Sequence, residues 1–253
     1  MVKKKCIVLF CERIEKNILD YYNSIDQIKN DIIVVSPVVN ENFSKDFSKI
    51  YFYRDDFFLK MNDDIKNTHR PNWYYQQFLK YSIVLKLNYD LIHIIDGDSF
   101  LNSKYFFTNN FYYSSIKPNV KYQNFTNLFN NKLYSNKNYI INHMVYEKKI
   151  LLQMFDFFAV DETNYIKKFC SKLNTGDSWF SEYQNYAMYV LFLDGKRNSL
   201  KTNVFRRLDL VRNPDIITGL RKYSLLAFEN SHNAGVLRIL RARIFYFFGI
   251  NLG

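Results

Sequence analysis

The alternation of short apolar runs with polar, helix-periodic segments predicts an α/β fold. Four runs of strand length are Ile7–Phe10, Asp31–Pro37, Ile50–Tyr53 and Ile92–Ile95. Such runs are typical of strands buried on both faces. Helical segments are predicted at Arg13–Ile28 and at Pro71–Leu87, where a proline in the first turn is acceptable. The order β-α-β-β-α-β predicts a parallel or mixed sheet covered by helices.

The pattern is less regular after Phe100. The polar and aromatic stretch 109–122 predicts hairpins or loops, and Tyr139–Ile141 predicts a short strand. Further helices are predicted at Glu147–Phe158, Asn164–Lys172 and Ser181–Leu193, the last capped by Ser181. Two late strands are predicted at Asp209–Val211 and Leu225–Phe228, although so short an apolar run as the second could also be helical.

Two carboxylates stand directly after the fourth strand. Asp96 and Asp98 flank Gly97, which leaves room for a close approach to the backbone. Nearby carboxylates repel each other, and a divalent cation such as Mg²⁺ or Mn²⁺ would relieve that repulsion and also hold the phosphates of a substrate. The pattern indicates a metal–diphosphate site in an enzyme that uses a nucleotide-activated substrate. The alternative is an ordinary Asp-Gly turn that ends the strand.

Composition narrows the class of protein. The chain has 253 residues, of which 48% are hydrophobic, and this excludes general disorder. A formal charge of +11 suits anionic partners. The three cysteines lack metal-ligand spacing and are odd in number, which favours a reducing cytoplasm. The basic N-terminus leads into a short apolar run followed by Glu12 and Arg13, so neither a signal peptide nor a membrane span is expected.

Four stretches occur in one order along the chain. They are Trp73-Tyr74-Tyr75-Gln76-Gln77-Phe78-Leu79-Lys80, Asp96-Gly97-Asp98, Asn142-His143-Met144-Val145-Tyr146 and Phe180-Ser181-Glu182-Tyr183-Gln184-Asn185-Tyr186. Together they resemble bacterial GT-A nucleotide-sugar glycosyltransferases, including the DUF6492 group, over about residues 5 to 210. The resemblance implies a Rossmann-like mixed sheet flanked by helices in residues 1–234. It also implies metal-dependent transfer from a nucleotide-diphosphate donor, with a UDP-sugar favoured and an inverting mechanism weakly favoured.

The resemblance assigns Asp96 and Asp98 to a Mn²⁺ or Mg²⁺ ion at the donor diphosphate, with Gly97 between them. The ends of the preceding strands would then face the nucleotide. The candidates there are Ser36, Arg54, Asp55 and Asp56, where a carboxylate can accept hydrogen bonds from ribose hydroxyls or a base N–H. The alternative for Asp55 and Asp56 is a solvated turn.

A polar face is predicted on the second helix. Trp73, Gln76, Gln77 and Lys80 recur at offsets of three, four and seven, so they share one side of a helix and could meet donor sugar or phosphate. The alternative is a solvated face with Trp73 packed beneath it.

Candidate catalytic and further metal-binding residues come later in the chain. An inverting transferase needs a carboxylate that takes the acceptor hydroxyl's proton, and Glu182, near a helix start, is the first candidate, with Asp177 the second. A carboxylate after a serine is also ordinary helix-start chemistry. His143 and His232 are candidate metal or phosphate contacts, and the alternative for both is a structural histidine.

The segment 235–253 predicts a basic amphipathic helix. Leu237, Leu240, Ile244, Phe247 and Phe248 share one face, and Arg238, Arg241 and Arg243 flank it. This pattern fits an anionic membrane surface on the inner face of the cell membrane, and a glycan or lipid-linked acceptor in surface polysaccharide or lipopolysaccharide synthesis agrees with it. The alternative is a helix that packs its aromatic face on the domain.

Two other function classes compete. A HAD-like phosphatase also has a strand followed by Asp-x-Asp, but its nucleophile stands near the start of the fold, whereas here three predicted strands precede Asp96. A non-enzymatic nucleic-acid-binding protein would agree with the positive charge. No Gly-rich RNA motif, zinc motif or compact basic stripe supports it, so no nucleic-acid partner is expected.

Overall fold

The computed structural model describes most of the chain. The described residues are 3–12, 15–25, 30–38, 47, 50–114, 116–173, 177–195, 197–205, 208, 214–228, 242–243 and 245–248. The predicted strand Asp209–Val211 and His232 lie outside them, as does most of segment 235–253.

A five-stranded sheet forms the centre of the fold. Its strands are β1 (Lys5–Phe10), β2 (Asp31–Ser36), β3 (Ile50–Arg54), β4 (Leu91–Asp96) and β7 (His143–Glu147), in the spatial order β3-β2-β1-β4-β7. The first four are parallel, and β7 runs antiparallel to β4. The predicted α/β class with a mixed sheet is therefore confirmed, and each of the four strands predicted before Phe100 is present.

Helices and smaller sheets surround this centre. The helices are α1 (Lys16–Ser24), α2 (Asp63–Lys66), α3 (Pro71–Lys86), α4 (Val120–Asn127), α5 (Lys148–Phe157), α6 (Tyr165–Leu173), α7 (Glu182–Leu193) and α8 (Ile216–Lys222). Short 3₁₀ turns lie at Asp55–Phe57 and Ser103–Tyr105. The order β5-β10-β9 joins β5 (Ser99–Leu101), β10 (Leu225–Ala227) and β9 (Val204–Phe205), and β6 (Phe111–Tyr113) pairs with β8 (Ser199–Lys201).

The central sheet separates two hydrophobic cores because alternate strand residues face opposite sides. Val8 and Ile94 face a large core that includes α3, α5, α6 and α7. Leu9 and Ile95 face a smaller core that includes α1 and the β5-β10-β9 sheet. Asp96 follows Ile95 in register, so its side chain belongs to the side of α3 and α7.

Two local expectations need correction. Tyr139–Ile141 is not a strand; the strand begins at His143, because Tyr139 donates its backbone N–H to the side chain of Gln184 rather than to a neighbouring strand. The stretch 109–122 contains β6 and the start of α4, not only loops. Strand β10 at Leu225–Ala227 is confirmed.

The described end of the chain packs on the smaller core. Residues 242–243 and 245–248 are helical, and Ala242 and Tyr246 are buried. The Tyr246 hydroxyl donates to the carbonyl of Asp215 at 2.5 Å. Phe247 and Phe248 are exposed, so at least part of the predicted apolar face does not pack on the domain. No helix in the described part of the chain is long and apolar enough to cross a membrane.

Candidate functional site

The carboxylate pair lies where the strand order of the sheet reverses. Strands β1, β2 and β3 progress in one direction, and β4 returns to the other side of β1. Phe10 at the end of β1 is in register with Asp96 at the end of β4. Because open α/β sheets form a crevice at the carboxyl ends of the two strands that flank such a reversal, Asp96 and Asp98 stand at the expected ligand position.

Gly97 permits two strand ends to touch. Its N–H donates to the carbonyl of Phe10 at 2.6 Å. A Cβ at Gly97 would lie 2.6 Å from Cβ and 2.9 Å from Sγ of Cys11, closer than van der Waals contact allows. The absence of a side chain therefore brings the Asp96–Asp98 turn against the end of β1.

A buried lysine neutralises the first carboxylate. Lys80 comes from the last half of α3, and its Nζ lies 2.7 Å from Oδ1 of Asp96. It also donates to the Tyr183 hydroxyl at 3.0 Å, and that hydroxyl donates to the same Asp96 oxygen at 3.0 Å. Burial opposes the charge of Lys80, but Asp96 and Glu182 raise its pKa well above the usual value, so the ammonium persists at neutral pH.

Glu182 lies behind this lysine and is fully buried. It is the first residue of α7, and the Ser181 hydroxyl caps the helix by accepting from the N–H of Gln184, as predicted. Oε1 lies 2.9 Å from Lys80 Nζ, an ion-pair contact, yet neither carboxylate oxygen has a partner with hydrogen-bond geometry among the described residues. Burial raises the pKa of Glu182, whereas Lys80 opposes that shift.

A second buried polar atom lies near Glu182. The Tyr146 hydroxyl has no hydrogen-bond partner in the described structure, and burial followed by the Glu182 charge raises the pKa of Tyr146. Tyr81 donates its hydroxyl to the Glu182 carbonyl at 2.9 Å, which fixes the start of α7. Glu182 is thus held among tyrosines and one lysine rather than facing solvent.

Asp98 is the less compensated carboxylate of the pair. Its Oδ1 accepts from the Ser99 hydroxyl at 3.0 Å. Burial and the neighbouring charge of Asp96 raise the pKa of Asp98 to about 6. No cluster of three or more acidic, histidine or cysteine side chains that could hold a metal occurs among the described residues. Two carboxylates fit Mg²⁺ or Mn²⁺ only when substrate oxygens and water complete the coordination, which is how Mg²⁺ usually binds at phosphate sites.

The candidate nucleotide contacts follow the neighbouring parallel strands. Ser36 ends β2, is buried, and donates its hydroxyl to the Glu12 carbonyl at 3.0 Å. Arg54 ends β3 and forms an exposed bidentate pair with Asp56, at 3.2 and 2.9 Å. Asp55 accepts from the Tyr75 hydroxyl at 3.2 Å. All lie at the same edge of the sheet as Asp96, but Arg54 is three strand spacings away, about 14 Å.

The predicted polar face of α3 is divided by the structure. Lys80 and Gln77 are buried, and of these Lys80 contacts Asp96. Gln76 is exposed. Trp73 lies in the first turn, partly buried, beneath the guanidinium of Arg70. The helix therefore brings one of the four candidates to the carboxylate pair.

Two other candidates are not brought to the carboxylates by any described contact. Asp177 is exposed in the loop before α7, and its carbonyl accepts from Asn124. His143 is buried on the face of β7 opposite to Met144 and Tyr146, and its Nδ1 lies 3.1 Å from Nε2 of His93. Burial lowers the pKa of His143 to about 3. This geometry matches a structural histidine pair, the alternative considered for His143.

Tyr183 is a site residue that sequence reasoning did not select. Its hydroxyl bridges Lys80 and Asp96, and its ring lies 4.2 Å from the Lys80 ammonium. It occurs next to Glu182 in one of the motifs that carry the resemblance. Its position beside a predicted catalytic carboxylate was the available indication.

Comparisons with known proteins give a limited similarity of architecture. Neither a protein-family model nor a curated protein matches the chain. Among solved structures, the chain is similar to the apo form of the glycosyltransferase GlyE of Streptococcus pneumoniae TIGR4, with 10% identity and a TM-score of 0.43. The alignment covers 100% of this chain and 61% of that one, so this chain spans less than two thirds of that protein. A similarity at this level says nothing about activity.

Proposed function

We propose that this protein is a metal-dependent glycosyltransferase that uses a nucleotide-diphosphate sugar, with a UDP-sugar favoured. The observation that carries the proposal is the position of Asp96 and Asp98 at the strand-order reversal, where Asp96 contacts the buried Lys80. The order of the four motifs supports it. A mixed carboxylate and ammonium site can bind both a cation and the phosphates that the cation accompanies.

The chemistry divides between the two acidic residues and the lysine. A divalent ion held by Asp96 and Asp98 would neutralise the negative charge that develops on the diphosphate as it leaves. Lys80 fixes the rotamer of Asp96 through one oxygen, with Tyr183 donating to the same atom. This preorganisation matters because a carboxylate that is already oriented loses little conformational freedom when it binds.

Glu182 fits a positioning role better than the predicted role of base. A base must reach the acceptor hydroxyl, and the side chain of Glu182 is fully buried beside Lys80. Glu182 can balance the charge of Lys80 from its buried position, without any movement of its side chain. In the proposal Glu182 therefore positions Lys80, and Asp177, which is exposed, stays the alternative base.

The acceptor is proposed to be a glycan or a lipid-linked saccharide at the inner face of the cell membrane. The formal charge of +11 favours an anionic surface. Phe247 and Phe248 are exposed, and Arg243, which lies four residues before Phe247, is exposed as well. Aromatic side chains next to a basic one are typical of helices that lie in a membrane interface. The division into residues 1–234 and a helix at 235–253 belongs to this proposal.

A phosphatase of the HAD type is less consistent with the fold. Its nucleophilic aspartate requires a position near the first strand, whereas Asp96 ends the fourth. A nucleic-acid-binding role is favoured by the net charge, but no Gly-rich RNA motif, zinc motif or compact basic stripe occurs in the sequence.

A screen of nucleotide sugars with and without Mn²⁺ tests the proposal. Ligands that bind the native state raise its melting temperature by mass action, so a UDP-sugar should stabilise the protein more with Mn²⁺ than with EDTA. Slow donor hydrolysis should show the same metal requirement. Equal stabilisation by all nucleotides with and without metal, and no hydrolysis of any donor, would contradict the proposal.

A further inference from the structure

Three aromatic rings and two cations form a partly exposed cluster beside the start of α3. Arg70, the residue before α3, lies 4.4 Å from the Trp73 ring and 5.1 Å from the Trp179 ring. Lys121 Nζ lies 5.1 Å from the Trp179 ring, and Tyr122 contacts both tryptophans, with ring centroids at 6.2 and 5.7 Å. We call these five residues the aromatic–cation cluster.

Three separate chain segments hold the cluster together. Arg70 and Trp73 belong to the start of α3, Lys121 and Tyr122 to α4, and Trp179 to the loop before α7. The backbone N–H of Trp179 donates to the backbone carbonyl of Lys121 at 2.9 Å, which ties that loop to α4. A guanidinium set between two indoles has few remaining rotamers, so it is preorganised for a ligand.

The local field at the cluster is positive. Arg70 has aromatic rings and the Tyr122 hydroxyl as partners, and no carboxylate partner among the described residues. The pKa of the neighbouring His69 is lowered by burial and then by the charges of Arg70 and Lys121. An anion placed here would meet two cations and displace no internal salt bridge of Arg70.

The cluster also lies close to the candidate active site. Trp73 precedes Lys80 by two helical turns, about 10 Å along α3. Thr126 of α4 donates its hydroxyl to Asn185 of α7 at 3.0 Å, so the two helices pack together. The charge of Glu182 contributes to raising the pKa of Tyr122, after the larger effect of burial. This separation suits a saccharide bound next to the transferred sugar.

We propose that the aromatic–cation cluster is an acceptor subsite for a sugar phosphate. The apolar face of a pyranose ring would pack on the exposed indole or phenol surface, while the phosphate would accept hydrogen bonds from Arg70, whose planar fork suits phosphate. A simple inorganic anion would use the cations but not the rings. The role as acceptor subsite rests on the proposed transferase function, whereas binding of a sugar phosphate does not.

The chain itself supplies a reporter for this subsite. It contains two tryptophans, and both Trp73 and Trp179 belong to the cluster. Selective excitation of tryptophan therefore reports on this surface alone. Titration with glucose 1-phosphate, without metal or nucleotide, should change the emission saturably. Glucose and inorganic phosphate should each bind at least about tenfold more weakly, since each lacks one half of the contacts.

Variants locate the binding. Arg70→Gln should weaken the binding of glucose 1-phosphate at least about tenfold, because it removes the charge-assisted hydrogen bonds to the phosphate. Arg221→Gln removes the same charge on the exposed end of α8 and should leave the affinity unchanged. Asp96→Asn should also leave it unchanged, since that side chain belongs to the donor site.

The outcomes separate this proposal from its competitors and from the transferase proposal. Equal affinity for inorganic phosphate, loss of the response in Asp96→Asn, or tighter binding of a short oligonucleotide than of the sugar phosphate would each overturn the subsite. Vesicles that carry a lipid-linked sugar phosphate provide a second arm: tighter binding to them indicates a lipid-linked acceptor, and equal binding a soluble glycan. Metal-dependent nucleotide binding that depends on Asp96 and Asp98 tests the transferase proposal independently.

Discussion

Lys80 and Asp96 form a 2.7 Å ion pair that joins the interior of α3 to the end of β4. The lysine side chain is 5% exposed and that of Asp96 is 26% exposed, so the pair sits at the boundary between core and crevice. Lys80 and Tyr183 both hold Oδ1 of Asp96, and in the proposed site the second oxygen would bind the ligand. The consequences can be tested by changing each member of the site.

Asp96→Asn and Asp98→Asn should each abolish Mn²⁺-dependent nucleotide binding and transfer while the protein stays folded. The amide removes the charge but keeps the shape, and in Asp96→Asn the lysine retains Glu182 as a partner. Nucleotide affinity with and without Mn²⁺, measured by calorimetry, checks this. Asp20→Asn, an exposed change on α1, is the control and should bind as the wild type does. A variant of either site residue with unchanged metal-dependent affinity would disprove the assignment.

Lys80→Met should lower the free energy of unfolding by about 3–5 kcal/mol, because it leaves Glu182 buried without a cation. Adding Glu182→Gln should recover much of that loss, since the double variant contains no buried unpaired charge at this point. Urea denaturation of the two single variants and the double variant measures the coupling. Additive losses would show that the contact of Lys80 with Glu182 contributes no coupling energy.

Glu182→Gln alone also separates positioning from base catalysis. Donor binding should be nearly unchanged and kcat should fall under either role. If Glu182 positions Lys80, the residual activity should keep the acidic limb of the wild-type pH profile, because another group still takes the proton. Disappearance of that limb would instead identify Glu182 as the base, as the sequence pattern predicted.

Gly97→Ala should destabilise the protein by about 1–3 kcal/mol, since the new methyl group overlaps Cys11 at the end of β1. When Cys11→Gly is combined with Gly97→Ala, the loss of stability should be smaller than the sum of the two single losses. The reason is that Cys11→Gly removes the atoms nearest to the new methyl group. Gly195→Ala is a matched control: no atom lies within 4 Å of its added Cβ, and its stability should stay near that of the wild type. Strict additivity of the two changes would argue against the close approach.

The His93–His143 pair should make the stability of the protein depend on pH. Burial and the neighbouring histidine lower the pKa of His93, and burial lowers that of His143 to about 3, so both are neutral when folded and protonate on unfolding below pH about 6.5. Above that pH both histidines are neutral in the folded and unfolded states, so they cost no stability. As the pH falls below it, their protonation in the unfolded state lowers the free energy of unfolding. His143→Gln removes one such group, so its stability relative to the wild type should improve by up to about 1.4 kcal/mol per pH unit as the pH falls from about 6 to about 4.

The carboxyl groups Asp98 and Glu182 have raised pKa values and act in the opposite sense. Their contribution to the free energy of unfolding is greatest below the pKa that each group has in the unfolded chain. It is lost as the pH rises through the higher pKa of the folded protein. The difference between wild type and His143→Gln cancels these common contributions. Parallel stability curves for the two proteins, obtained from urea melts at each pH, would show that His143 titrates normally in the folded state.

Phe247→Ser with Phe248→Ser should weaken binding to phosphatidylglycerol vesicles without lowering the melting temperature, because both side chains are exposed. Tyr246→Ala should instead lower the melting temperature, since that ring is buried against Phe205 and Tyr223. Vesicle sedimentation at low salt measures the first effect. If the full-length chain does not bind these vesicles, the proposed membrane contact is wrong.

The sequence determined the central strands and the long helices because their patterns are local. Ile7–Phe10, Ile32–Val35 and Ile92–Ile95 are short apolar runs typical of buried strands, and Pro71 and Ser181 mark helix starts by their own chemistry. The carboxylate pair at the end of β4 was visible for the same reason. Tyr139–Ile141 was assigned wrongly because Tyr139 and Ile141 are buried in irregular backbone, which the sequence pattern alone does not distinguish from a strand.

Only the tertiary structure decided which of the polar residues meet. Lys80 and Gln76 share a predicted polar helix face, but packing of α3 against the sheet and α7 buries Lys80 beside Asp96 and leaves Gln76 exposed. His143 alternates with Met144 and Tyr146 along β7, so its side chain lies on the opposite face of the sheet, where it meets His93. Glu182 reads as a helix-start carboxylate in the sequence, and its burial depends on residues about a hundred positions away. Such contacts are set by the assembly of distant segments around two cores, which no local pattern encodes.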